Sequence, residues 1–256
     1  MKARPKRPRG KRTALSSFYT GNTKAYSEFL GVYGRSIRLA GLSILLQQKS
    51  LKDSEGQIPD VDAHDPLRAA VVIAVSAMDS YFTSRFVDML VPFLKCKGPT
   101  NALVDMLAKA GLDTRQCLVM ISMERPYRRV RTLVDGYLDK YVTQRFSAID
   151  SLFLAYGLKH FSKRVQERLK RQKLLSRIEV LVLRRHEIVH GGDLNAHGRL
   201  RPLNGSDTLK RIEEITRFVA GAEALLNNFL KIKRLSSPAQ HLARVWADAW
   251  KLQPGD

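Results

Sequence analysis

Six consecutive residues, Arg185-His186-Glu187-Ile188-Val189-His190, carry three kinds of side chain that can do chemistry. In one reading Arg185 and His190 form a phosphate-cleaving pair. Histidine titrates near neutrality, so it can take a proton from a ribose 2′-hydroxyl or give one to a leaving oxygen. Arginine can hold phosphate oxygens through its planar fork as negative charge builds. Together they could cleave RNA without a metal, by attack of the 2′-oxygen on the adjacent phosphate; DNA lacks that nucleophile. In a second reading His186-Glu187-Ile188-Val189-His190 is a literal H-E-x-x-H. On a helix the two histidines share a face and could bind Zn²⁺, with Glu187 as general base of a zinc-dependent hydrolase. Asp193, His197, Glu213 and Glu214 are the possible third ligands. A third reading is non-catalytic: helix ends carry Arg and His for dipole and capping reasons, and the chain is then a helical RNA- or protein-binding module.

Spacing alone does not choose, since Arg234 and His241 repeat the arginine–histidine pattern. The neighbours do more. Arg185 stands directly before the first histidine, where a buried zinc helix keeps an uncharged residue. Gly191-Gly192 ends the helix where a zinc helix continues apolar, and Asp193 and Ala196 break the elongated form of the motif. The end of a helix carries partial negative charge, which repels phosphate; Arg184 and Arg185 would offset it. Upstream lies a basic strip. Residues 159–185 hold ten basic residues against Glu167 and Glu179. Of these, Lys163, Arg164, Arg168, Lys170, Arg171, Lys173 and Arg177 are candidates for backbone contact with RNA.

At these residues the chain resembles the HEPN domains, in particular the RiboL-PSP-HEPN type. Leu181-Val-Leu-Arg-Arg-His-Glu-Ile-Val-His190-Gly-Gly is similar to the R-x4-6-H signature of that family. His186 takes the place of its polar residue, Ile188 and Val189 of its two aliphatics, and Gly191 of its trailing glycine. Ala77-Met-Asp-Ser-Tyr-Phe82 resembles part of the family's first core helix, and the similarity spans roughly 65–232. The resemblance implies an all-α bundle that forms a homodimer with a composite active site, and a metal-independent endoribonuclease with no cofactor, in a toxin–antitoxin or antiviral defence setting. It makes Arg185 and His190 catalytic. His186, Glu187 and Arg184 become accessory polar residues, and Asp79 and Ser76 candidates to line the cleft. A cognate antitoxin or inhibitor is a further implied partner. Gly192 stands where some family members carry a modifiable Tyr.

The elements that must position these residues are helices, because apolar residues recur at three and four and strand-like alternation is almost absent. The expected fold is a single up-and-down helical bundle with an extra N-terminal helix and a disordered basic arm. Its divisions are an arm over 1–22, an N-terminal helix and polar linker over 23–64, a helical domain over 65–235 and a tail over 236–256. The first helix is expected over 23–48. Asp65-Pro66 is a start signal for a second, buried helix to about Leu94. Short helices are expected over 100–110 and 113–122, then one stretch over 127–156 and a helix over 163–172 capped by Ser162. The helix that bears the six residues spans 174–190, and a final one runs from a cap at Ser206 or Asp207 to about Lys233. In the tail, Leu242, Val245, Trp246 and Trp250 have the spacing of a short amphipathic helix.

The formal net charge is +20, an excess of cations that points to a polyanionic partner. Residues 1–12 hold seven basic side chains, two prolines and no acid, and removing them leaves +13 on the remainder. Cys96 and Cys117 make no disulfide framework and have no metal-ligand spacing, which favours a reducing compartment. The basic start leads into Ser16, Ser17, Thr20 and Gly21, not an apolar signal segment. The longest apolar run, Ala69–Val75, is far shorter than the roughly 20 residues of a membrane span. The sequence therefore reads as a cytoplasmic protein with RNA and not a membrane as its partner.

Overall fold

In a computed structural model the backbone is described over residues 23–52 and 60–231, and the side chains over 23–48 and 63–230. The basic arm and the tail with Trp246 and Trp250 lie outside the described residues. Among those residues there are nine helices and no strand, so the fold is all-α. They are α1 (Lys24–Lys52), α2 (Asp60–Lys97), α3 (Asn101–Lys109), α4 (Thr114–Ile121), α5 (Pro126–Leu138), α6 (Phe146–Leu154), α7 (Phe161–Arg168), α8 (Leu174–Gly191) and α9 (Gly205–Lys231).

The centre is α2, which packs against α1, α5, α6, α8 and α9. Its all-round apolar character follows from that position: Leu67, Val71, Val75, Met78, Phe82, Phe86 and Leu90 are all fully buried. α1 runs antiparallel to it, and Ser36 donates to the carbonyl of Ala70 at 2.9 Å while Ser43 donates to that of Ala63. Ser36, Ala40 and Ser43 are fully buried at this contact, and their small size lets the two helices approach closely enough for hydroxyls to reach backbone. α9 runs parallel to α2. Tyr81 and Arg85 both bond the buried Glu223, at 2.8 and 2.9 Å, so that carboxylate is satisfied inside the core. α1 and α2 are each long and apolar enough by length and composition to cross a membrane, which the longest apolar run did not reveal. Most of the α2 window is buried inside the bundle, and a core helix meets the same criterion without a bilayer.

Four expected boundaries are corrected. α2 begins at Asp60, so Pro66 sits inside the helix; Asp65 bonds Arg68 at 3.3 Å and does not cap. The stretch expected over 127–156 is two helices, broken between Leu138 and Phe146. The break is held by Asp79, whose carboxylate accepts from the amide and hydroxyl of Thr143, both at 2.6 Å, and from Gln144 at 3.1 Å. Ser162 lies within α7, and its amide is capped across the chain by Asp150 of α6 at 2.7 Å. Asn204 caps α9 by accepting from the amide of Asp207 at 2.9 Å, so neither Ser206 nor Asp207 supplies the cap.

Candidate functional site

α8 forms because Leu174, Ile178, Leu181 and Val182 place one apolar stripe on the bundle. It stops at Gly192, which takes the left-handed conformation (φ 62°) that glycine adopts without steric cost and donates its amide to the carbonyl of Glu187. The six residues therefore occupy the last two turns. His186 and His190 are both exposed one turn apart, with ring centroids 4.6 Å from each other and planes tilted by 46°. Arg185 falls in register with Ile178, Leu181 and Val182, and is half-buried. Its Nε is buried without a hydrogen-bond partner. Five positions at about 100° each put Arg185 and His190 roughly 140° apart around the helix axis. In one copy of the chain they face different directions.

The residues after the helix are held by an ionic network that the sequence did not announce. Asp193 is buried, and its Oδ2 accepts from Arg68 and from Arg184, both at 2.9 Å. Arg184 Nε lies 2.8 Å from Oδ1, an ion pair bent away from hydrogen-bond geometry. Arg68 and Arg184 also donate to the carbonyl of Arg201, at 2.9 Å each. The side chain of Arg201 returns to Glu187. That hydrogen bond holds the Glu187 carboxyl below its usual range and raises the Arg201 guanidinium. So Arg184 and Glu187, expected as accessory groups, fasten loop 192–204 to the end of α8. Arg184 is paired with Asp193, and Arg185 has no carboxylate partner among the described residues.

The zinc reading finds no third ligand among the described residues. Asp193 is held by its two arginines. Glu213 pairs with Arg217 at 3.2 Å, and Glu214 with Arg171 at 2.9 Å and Arg177 at 3.3 Å. His197 sits in an exposed turn, and Glu187 is bonded to Arg201. Asp79 and Ser76 are not brought to the end of α8. Arg68 marks that end on α2, and Asp79 lies eleven residues, about 16 Å, farther along the helix. Its carboxylate is occupied by Thr143 and Gln144.

The basic strip is divided. Arg171 and Arg177 are tied to buried Glu214, and Lys163 lies 4.0 Å from Glu167. Arg164, Arg168, Lys170 and Lys173 are exposed and have no ion pair among the described residues. They lie on α7 and the turn before α8, away from the His186–His190 end. Sequence reasoning also missed the groove between α8 and α9, because its walls come from segments thirty residues apart. A hollow of roughly 360 Å³ there is bounded by Val180, Leu183, Arg184, Glu187, Leu203 and Arg211. No protein-family model matches the chain, and neither a curated protein nor a solved structure matches it.

Proposed function

We propose that the chain is a metal-independent endoribonuclease in which His190 moves the proton and Arg185 holds the phosphate. The observation that supports this most is the contrast between adjacent arginines. Arg184 is paired with Asp193, whereas Arg185 keeps a buried Nε without an acceptor, directly before exposed His186 and five residues before exposed His190. A guanidinium without a carboxylate is the form able to take a phosphate. His186 lies beside His190 and is placed to contact the same substrate. The 140° between Arg185 and His190 favours a homodimer in which the two act from different copies on one phosphate. A role in toxin–antitoxin or antiviral defence, with a cognate inhibitor, completes the proposal and rests on the HEPN resemblance alone.

The test is incubation of the purified chain with RNA in EDTA. Cleavage that persists in chelator and disappears in His190→Ala and in Arg185→Ala is the expected result. Cleavage abolished by chelation would move the case to His186-Glu187-His190 and zinc. A folded protein that binds RNA and cleaves none would leave the non-catalytic binding module.

A further inference from the structure

We propose that the groove between α8 and α9 is a track for single-stranded RNA, in which Arg177, Lys210 and Arg211 hold the backbone and Glu214 Oε2 accepts from the exocyclic amino group of a base. The identity of the polymer rests on the ribonuclease reading; the groove and its polar groups do not. The hollow of roughly 360 Å³ continues into a second of about 250 Å³ bounded by Arg177, Lys210, Arg211 and Glu214, and the two share Asp207 and Arg211. On α8 the walls come from Arg177, Val180, Arg184 and Glu187. These positions repeat every three or four residues along one face. From Arg177 to Glu187 that face rises about 15 Å, the length of roughly four stacked nucleotides.

The chemistry of the groove matches both parts of a nucleotide. Lys210 is exposed and Arg211 half-buried, and neither has an ion pair among the described residues. Val180 and Leu183 expose 48% and 58% of their surface here, which gives apolar ground for base faces between the cations. Glu214 is the specific element. It is buried, and three guanidiniums converge on its Oε1: Arg171 at 2.9 Å, Arg177 at 3.3 Å and Arg217 at 3.3 Å. Its Oε2 has no hydrogen-bond partner and is covered from solvent in the free chain, so an entering base must displace the side chains over it. A buried carboxylate oxygen without a donor is costly, and a ligand N–H removes that cost. The amino groups of adenine, cytosine and guanine can donate there; uracil has no amino group, and its N3–H lies between two carbonyl oxygens that a carboxylate repels. In an A-form duplex one hydrogen of each amino group is taken by the base pair, and for adenine and cytosine the other lies in the deep, narrow major groove that side chains cannot read, so the groove suits single strands.

The experiment uses the full chain carrying His190→Ala, so that RNA survives, and reads fluorescence anisotropy with labelled oligo(A), oligo(C), oligo(U) and an RNA duplex. Oligo(A) and oligo(C) should bind about tenfold more tightly than oligo(U), the worth of one hydrogen bond to a charged acceptor. Lys210→Ala and Arg211→Ala should each weaken binding and reduce the slope of log K against log salt by about 0.7. Glu214→Gln should bring the three homopolymers together, because an amide both donates and accepts. Equal binding of the three homopolymers, with an unchanged salt slope in Lys210→Ala, would overturn the proposal. Equal competition by polyglutamate would do so too, since a surface that reads only charge needs no base. Groove-dependent binding without cleavage by the wild-type chain would sink the ribonuclease reading and leave this one standing. Cleavage unaffected by Lys210→Ala and Arg211→Ala, with no homopolymer preference, would do the reverse.

Discussion

Replacing Asp193 by Asn isolates the charge that holds the end of α8. Asp193 has φ 61°, in the left-handed region, and Asn tolerates that conformation as well as Asp does, so the backbone cost is unchanged. The side-chain volume is also kept. What changes is that two guanidiniums, 9% and 13% exposed, lose the carboxylate between them, and an amide N–H₂ is turned toward one of them. Removing one member of a buried ion pair costs about 3–5 kcal/mol. Because Arg68 and Arg184 keep the Arg201 carbonyl as an acceptor, the low end applies, about 3 kcal/mol. In a chain of this length each kcal/mol moves Tm by roughly 2–4 °C, so Tm should fall by about 6–12 °C. Thermal unfolding followed by far-ultraviolet circular dichroism measures it, with Arg199→Gln on the same exposed loop as a control expected to change little. A fall of less than about 2 °C for Asp193→Asn would refute the argument that this network anchors loop 192–204.

Other perturbations test separate parts of the structure. A Cβ at Gly221 would lie 2.9 Å from Leu169 Cδ1 and 3.0 Å from Val165 Cγ1. Val165 is stiff, so overpacking should outweigh the roughly 1 kcal/mol that Ala gains over Gly in a helix. Gly221→Ala should therefore lower the urea midpoint, and a raised midpoint would contradict the close α7–α9 packing. Glu187 has its folded pKa depressed by Arg201, so its contribution is present above the ordinary carboxylate range and lost as pH falls through the lower folded value. Between pH 6 and pH 3, Glu187→Gln should show a shallower loss of stability than the wild type, and the difference should shrink in high salt because the pair is partly exposed. An equal loss in both proteins would show that the pair does not contribute. Mixing inactive His190→Ala with inactive Arg185→Ala should restore part of the cleavage if the two residues act from different copies. Failure to restore it, with exchange of subunits verified, would place the pair within one copy.

The helices were legible because each rests on a local signal: the stripe Leu174, Ile178, Leu181, Val182 and the glycine stop are read directly from spacing. Misplaced boundaries came from contacts distant in sequence. Nothing near Thr143 tells that Asp79, on another helix, will accept its amide and break the expected long helix. Likewise the capping signals at Asp65-Pro66 and Ser162 were real residue types in the wrong places, overruled by packing that continued one helix and by Asp150 capping the other. At the candidate site, His186 and His190 were read correctly as neighbours on one face, since that follows from the helical period. The difference between Arg184 and Arg185 was not readable. It depends on Asp193 folding back after two glycines, and on Arg68 arriving from α2. The α8–α9 groove was hidden for the same reason, because Glu214 meets Arg171 and Arg177 only when the two helices pack.

Attack by a 2′-hydroxyl, with His190 and Arg185 as the working groups, is the step on which the proposed activity depends. An oligonucleotide that is 2′-deoxy at every position but one tests it in a single reaction, run in EDTA. One cut is expected, immediately 3′ of the lone ribonucleotide, leaving a 2′,3′-cyclic phosphate, with none in the all-deoxy strand or with His190→Ala. Cleavage of the all-deoxy strand, or products without the cyclic phosphate that require added metal, would contradict it.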